Sequence, residues 1–77
     1  MAANSAHVVW VSSSSWWKVT LNGIARDHKP VKAEAIASGR RLLKSVGGGE
    51  LVIHNMDGSI AEKDTIAPGN DPSRIPG

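Results

Sequence analysis

A single segment of the sequence has the apolar periodicity of a helix, and it constrains the fold more than any other feature. Over residues 31–46, seven apolar or small side chains fall within one arc of about 140° on a helical wheel. A lone helix cannot bury such an arc by itself, so the helix has to pack against a second layer. The runs on either side are β-branched and aromatic, which favours a sheet as that layer.

Four short runs around this helix have the composition of strands, two before it and two after it: residues 7–11, 16–21, 51–54 and 59–65. The second run alternates, which puts Trp17, Val19 and Leu21 on one face. The polar segment 22–29, which begins with Asn-Gly, indicates a loop. We therefore predict an α+β fold in ββαββ order, a small antiparallel β-sheet with one helix packed on one face.

Length and composition favour one domain. A chain of 77 residues forms one small core, and the absence of cysteine excludes disulfides and thiolate zinc sites. We expect a flexible arm over residues 1–6, the ββαββ domain over residues 7–66 and a Pro/Gly-rich tail over residues 67–77, with a docked turn at residues 69–72. Neither a membrane-spanning run nor a secretory signal is present, so we expect a cytoplasmic protein without membrane contacts.

The three tryptophans are close together in the first half of the chain. We expect Trp17 to fill the core, because a domain of this size needs a large apolar centre. The sequence does not determine the register of the first hairpin, because a loop of four serines and a loop of five residues put opposite faces of the first strand inward. One helix covers only one face of a sheet, and we expect Trp10, Trp16 and Lys18 to bind a partner on the other. The alternative is that the tail folds over this face.

The basic side chains are concentrated in the middle of the chain. Residues 26–44 carry six basic and two acidic side chains, whereas residues 45–77 carry five acidic and two basic ones. Cations on the predicted helix form an alternative binding surface for nucleic-acid phosphates: Lys32, Arg40, Arg41 and Lys44. The competing explanation is that they keep the helix soluble and interact with its dipole.

Three other groups of residues suggest chemistry, and each has a structural explanation. His7 and His54 lie in strands that can be neighbours, but metal-ligand spacing is absent, so we expect hydrogen bonds to the backbone or to Asp57 and no metal or cofactor. The serines at 12–15 lack the base and the sharp turn of a nucleophile, so we expect no catalytic residue and no small-molecule substrate. The glycines at 47–49 follow the helix, as a C-cap does, whereas a phosphate loop precedes one.

Short motifs are spread over residues 7–72: His7-Val8-Val9, Trp17-x-Val19, Lys32-Ala33-Glu34-Ala35-Ile36, Gly49-Glu50-Leu51-Val52-Ile53-His54, Asp57-Gly58-x-Ile60 and Gly69-Asn70-Asp71-Pro72. In their order and spacing these motifs resemble the bacterial and phage family called domain of unknown function 2188. The resemblance implies a compact ββαββ-like domain with no established activity. This chain departs from the family at Val31, where a Thr or Ser helix cap is usual, and at Trp10 and Trp16, where large aromatics are rare.

These observations lead to two functional hypotheses. The first is a non-enzymatic interaction or regulatory module that binds a protein partner, or a second copy of itself, through the open sheet face. The second is a weak nucleic-acid-binding domain that uses the basic helix face and the first hairpin. No sequence feature identifies the partner.

Overall fold

The computed structural model describes residues 4–67, which form one sheet and one helix. The elements follow one another as β1 (Asn4–Val11), β2 (Trp16–Leu21), β3 (Ile24–Lys29), α1 (Lys32–Ser45), β4 (Gly49–His54) and β5 (Ile60–Ile66). The strands are ordered β3-β2-β1-β4-β5 across the sheet. The predicted α+β class and the single helix are confirmed. The predicted ββαββ order is matched in part, because a third strand, β3, also precedes the helix.

That additional strand, β3, occupies the segment that we expected to be a loop. It pairs antiparallel with β2, so that Lys18 lies opposite His28 and Leu21 opposite Ile24. Its outer edge has no neighbouring strand within the described residues, and most of its side chains are exposed. A strand in that position buries almost nothing, and so it has no apolar alternation to reveal it in the sequence.

The sheet is mixed, not antiparallel throughout as predicted. β1 and β4 lie side by side in parallel, with Asn4 opposite Gly49 and Val8 opposite Ile53, and the other three pairs are antiparallel. β1 begins at Asn4, so residues 4–6 belong to the sheet and not to the expected arm. Residues 1–3, the end of the tail and the predicted turn at 69–72 lie outside the described residues.

The helix agrees with the predicted range, with Val31 and Val46 as its two caps. Val31 makes no side-chain capping bond, as its apolar side chain requires. At the other end Gly47 has φ +95°, and the Gly48 amide donates to the Leu43 carbonyl at 2.7 Å. No helix in residues 4–67 is long and apolar enough to cross a bilayer.

The core lies between α1 and the face of the sheet that it covers. The buried apolar residues of this cluster are Ala6, Val8, Trp17, Val19, Leu21, Ala35, Leu43, Leu51, Ile53 and Ile66. Gly39 lets the helix approach the sheet closely, because a Cβ atom there would lie 2.8 Å from Leu51 Cδ1. Trp17 is 4% exposed, which confirms its predicted place in the core.

Candidate functional site

The face of the sheet opposite the helix, called the open face below, carries the candidate site. Residues paired across neighbouring strands point to the same side, so the register assigns this face directly. Its central members are Val9, Val11, Trp16, Lys18, His28 and Val52. No helix or strand within residues 4–67 covers it.

Trp16 is the large aromatic group of this face. It begins β2 directly opposite Val11, and it is 41% exposed. Together with Ser14 and His28 it lines a shallow depression of about 380 Å³. The next residue, Trp17, points the other way into the core, so the Trp16-Trp17 pair divides between the two sides of the sheet.

Trp10 does not lie on this face, so its expected position beside Trp16 and Lys18 is wrong. It lies opposite Trp17 in the register, and the two ring centroids are 5.1 Å apart. The cause is the turn between β1 and β2: it has four residues, which pairs Val11 with Trp16 and turns Trp10 toward the helix. Of the predicted set, Trp16 and Lys18 therefore share the open face, whereas Trp10 packs beside the core.

The open face carries two lysines and three histidines. The register places Lys18, Lys63, His7, His28 and His54 there. The acidic residue assigned to this face is Glu50, which lies opposite Ser5 near one end of β4. Val52 lies between His7 and Lys63 and is only 6% exposed. The face thus combines an apolar centre with a basic surround.

His7 and His54 form a hydrogen-bonded pair across β1 and β4. His7 Nδ1 lies 2.9 Å from His54 Nε2, and His54 Nδ1 lies 3.1 Å from the Gly58 carbonyl oxygen. A carbonyl only accepts, so His54 donates from Nδ1 and its Nε2 accepts the proton of His7 Nδ1.

This geometry predicts a pH-dependent stability. Burial, and then the proximity of His54, lowers the pKa of His7 below its ordinary value of 6.5. The unfolded chain then binds more protons than the folded one, so stability falls as the pH drops from about 6.5 through the lowered pKa of His7. His7→Gln is expected to remove this part of the fall in the free energy of unfolding, measured in urea between pH 7.5 and pH 5.

The control for this experiment is His28→Gln, which changes an exposed histidine outside the pair. It should keep the slope of stability against pH. The pKa of Asp57 is also lowered, by its hydrogen bonds from Ser59, but its contribution is lost only below about pH 3.8. An unchanged slope in His7→Gln would show that the pair does not carry the effect.

Both edges of the sheet are unsuited to pairing with another strand. A β-bulge interrupts the pairing of β3 with β2 between Val19 and Thr20, and another interrupts that of β4 with β5 at Ile53 and His54. β5 also carries consecutive charged residues from Glu62 to Asp64. Bulges and charges are the features by which natural sheets avoid edge-to-edge association.

The four basic side chains that we assigned to a nucleic-acid surface differ in their contacts. Lys32 Nζ lies 5.1 Å above the centre of the Trp17 ring. An Arg40 guanidinium nitrogen lies 2.8 Å from Asp64 Oδ2 on β5. Arg41 and Lys44 are exposed and make no ion pair within residues 4–67. Two of the four thus have partners within the domain.

The structure adds two arrangements that the sequence analysis missed. One is the hydrogen bond between His7 and His54. The sequence placed both histidines in strands, but it did not show that these two strands are neighbours. The other is a cluster of Arg26 and Asp27 with side chains of α1, which had no signal because β3 had been interpreted as a loop. Within the described range, no group of three or more His, Cys, Asp or Glu side chains is placed to hold a metal ion.

A known protein family matches most of the chain. The family model described as "Uncharacterized protein conserved in bacteria (DUF2188)" matches residues 6–66, from β1 to the end of β5. Neither a curated protein nor a solved structure matches the chain.

Proposed function

Because the chain belongs to this bacterial family of unknown function, we propose a function from the chemistry of its surface. The domain is a non-enzymatic interaction module that binds an acidic segment of a protein partner through the open face. The proposal rests on the exposed side chain of Trp16. It is exposed on the open face, beside Val11 and within a shallow depression. Exposed tryptophans beside apolar neighbours are frequent anchors of protein interfaces.

The charge of the open face indicates the chemistry of the partner. Lys18 lies beside Val9 and His28, and Lys63 lies beside Val52, so basic groups surround the apolar centre. An acidic segment with one apolar or aromatic anchor complements this arrangement. A second copy of the same face would bring like charges together, which disfavours self-association through it.

The edges of the sheet support the same choice of surface. A partner can join a sheet by adding a strand to its edge or by covering its face. Here bulges and charged side chains occupy both edges, on β3 and on β5. The face is then the surface with room for a partner.

The test is a selection of random peptides on the immobilised domain, followed by measurement of their dissociation constants. We expect the selected peptides to be rich in Asp and Glu and to contain an apolar anchor. Trp16→Ala should weaken their binding by at least about tenfold, the effect of removing an interface anchor worth 1.4 kcal/mol or more. The matched control is Ile24→Ala, which removes a 64% exposed apolar side chain that lies opposite Leu21 on the helix side of the sheet.

Three results would contradict the proposal. Equal losses in Trp16→Ala and Ile24→Ala would mean that the peptides bind nonspecifically to apolar surface. Selection of peptides without acidic residues would show that the basic side chains around the apolar centre do not contribute to binding. A concentration-dependent dimer in sedimentation, dissociated by Trp16→Ala, would assign the open face to a second copy of the chain.

Nucleic-acid binding is the second candidate, and the observation that favours it is the exposure of Arg41 and Lys44 on the outward side of α1. A gel shift with single- and double-stranded oligonucleotides separates the two functions. Phosphate contacts give a steep loss of affinity with rising salt. Binding that is lost in an Arg41→Gln/Lys44→Gln variant and kept in Trp16→Ala would favour this candidate over the open face.

A further inference from the structure

A second concave surface lies on the helix side of the sheet, away from the open face. It is a groove of about 280 Å³ between β3 and α1, called the β3–α1 groove below. Its lining residues are Arg26, Asp27, Ser38, Arg41, Leu42 and Ser45. Two arginines from different elements thus face one groove.

The bulge in β3 explains how Arg26 reaches this position. Val19 lies opposite Asp27 and Thr20 lies opposite Ala25, so Arg26 is the extra residue without a partner on β2. Bulges commonly redirect a side chain in this way. Arg26 and Asp27 therefore both line the groove, although they are consecutive in the strand.

The helix contributes the opposite wall through one flank. Ser38, Arg41, Leu42 and Ser45 are three, four and seven residues apart, the spacing that places side chains along one side of a helix. Ser45 Oγ donates to the Leu42 carbonyl at 2.7 Å, so its donor is engaged within the helix. Arg41 supplies the charge of this wall and Leu42 its apolar surface.

Asp27, the carboxylate of the groove, has hydrogen-bond donors and a lysine of its own. Ser38 Oγ donates to Asp27 Oδ2 at 2.7 Å, the His28 amide donates to Oδ1 at 2.9 Å, and Lys29 Nζ lies 3.7 Å from Oδ2. These contacts, with that of Ser38 the largest, lower the pKa of Asp27, so the carboxylate is charged and held in place. Arg26 and Arg41 make no ion pair within residues 4–67. The groove is therefore lined by two guanidinium groups that are not in an ion pair and by one carboxylate, which leaves a net positive charge.

We propose that the β3–α1 groove binds a small phosphate-bearing anion between Arg26 and Arg41. Guanidinium groups present paired N–H donors that match the oxygens of a phosphate, and two of them are suited to a dianion. The apolar surface of Leu42 accommodates a short organic group on the phosphate. The volume of the groove is near the lower end of the range for ligand pockets. It therefore suits a small phosphomonoester better than a nucleotide.

The test is a titration of the whole protein with inorganic phosphate and with glycerol phosphate, followed by NMR of the backbone amides at constant ionic strength. We expect saturable shifts at Arg26, Ser38 and Arg41, and weak affinity because the groove is open to solvent. Arg26→Gln and Arg41→Gln should each weaken binding by at least fivefold. Arg40→Gln is the matched control, since Arg40 faces Asp64 on the other flank of the helix, and it should bind as the wild type does.

Several outcomes would overturn the proposal. Shifts that rise linearly without saturation, or an equal loss in Arg40→Gln, would show only general attraction to a basic protein. A parallel titration with a short single-stranded oligonucleotide distinguishes the source of the phosphate. If the oligonucleotide binds through Arg26 and Arg41 while the two small phosphates do not saturate, the groove contacts a polymer backbone instead. Thermal melts of each variant confirm that the fold is kept.

Discussion

Trp17→Ala is expected to remove most of the stability of the domain. The side chain is buried beside Trp10, and Lys32 lies over its ring, so its truncation leaves a large cavity and exposes both neighbours. Replacing a buried tryptophan with alanine costs about 3–5 kcal/mol. A domain of this length has a total stability of roughly 4–12 kcal/mol. Urea denaturation followed by far-UV circular dichroism measures the loss.

Trp16→Ala is the internal comparison, because the two tryptophans are adjacent in sequence and differ only in the face they occupy. Trp16 is partly exposed on the open face, so its loss should change the free energy of unfolding by no more than about 1 kcal/mol. The variant then stays folded in the peptide-binding experiment. Similar losses of stability in the two variants would mean that the assignment of faces is wrong.

Gly49→Ala is expected to have the second large effect, this time through the backbone. Gly49 lies opposite Asn4 in the parallel pair of β1 and β4, and a Cβ atom there would overlap the Asn4 carbonyl oxygen and lie 2.8 Å from its carbon. Both residues begin their strands, and the backbone there can move aside only by breaking the pairing of β1 with β4, whereas the end of a side chain can turn away. We expect a loss of about 3 kcal/mol or more, from overpacking together with separation of the two strands.

The matched control is Gly47→Ala, two residues earlier. Gly47 has φ +95°, but a Cβ atom there would meet nothing within 4 Å. Its replacement should cost only the strain of a left-handed backbone, about 1–2 kcal/mol. A Gly49→Ala variant no less stable than Gly47→Ala in thermal and urea denaturation would show that the strands are not so close.

The helix and the alternating strand could be predicted because their sequences record which face is buried. In α1, Ala35, Gly39 and Leu43 recur at helical spacing and all are buried. In β2, the buried residues Val19 and Leu21 alternate with the polar residues Lys18 and Thr20. Each pattern is local, so it can be identified without knowing what the element packs against.

β3 and the strand order could not be predicted, since both depend on pairing between segments. The sequence of β3 is polar because its side chains are exposed, and only its pairing with β2 makes it a strand. The parallel alignment of β1 with β4 leaves no trace in the alternation of either strand. An extended run has the same pattern whichever way its neighbour points.

The candidate site could be predicted only in part, for the same reason. The alternation of β2 puts Trp16 and Lys18 on the same face, and the pairing register places both on the open face. The position of Trp10 depended on the length of a single turn, which the sequence left open. The β3–α1 groove depended on a strand and a bulge that were not predicted, so Arg26 could not be connected with Arg41.

The parallel pair at the middle of the sheet also determines the order in which the chain can fold. β1, β2 and β3 are joined by short turns and can form a meander as soon as they have left the ribosome. One side of β1, however, lacks its partner until the helix and β4 have followed, and closing that long segment costs chain entropy. We therefore expect the first half, during synthesis, to form at most a three-stranded sheet with a free edge and an uncovered apolar face, features that favour aggregation.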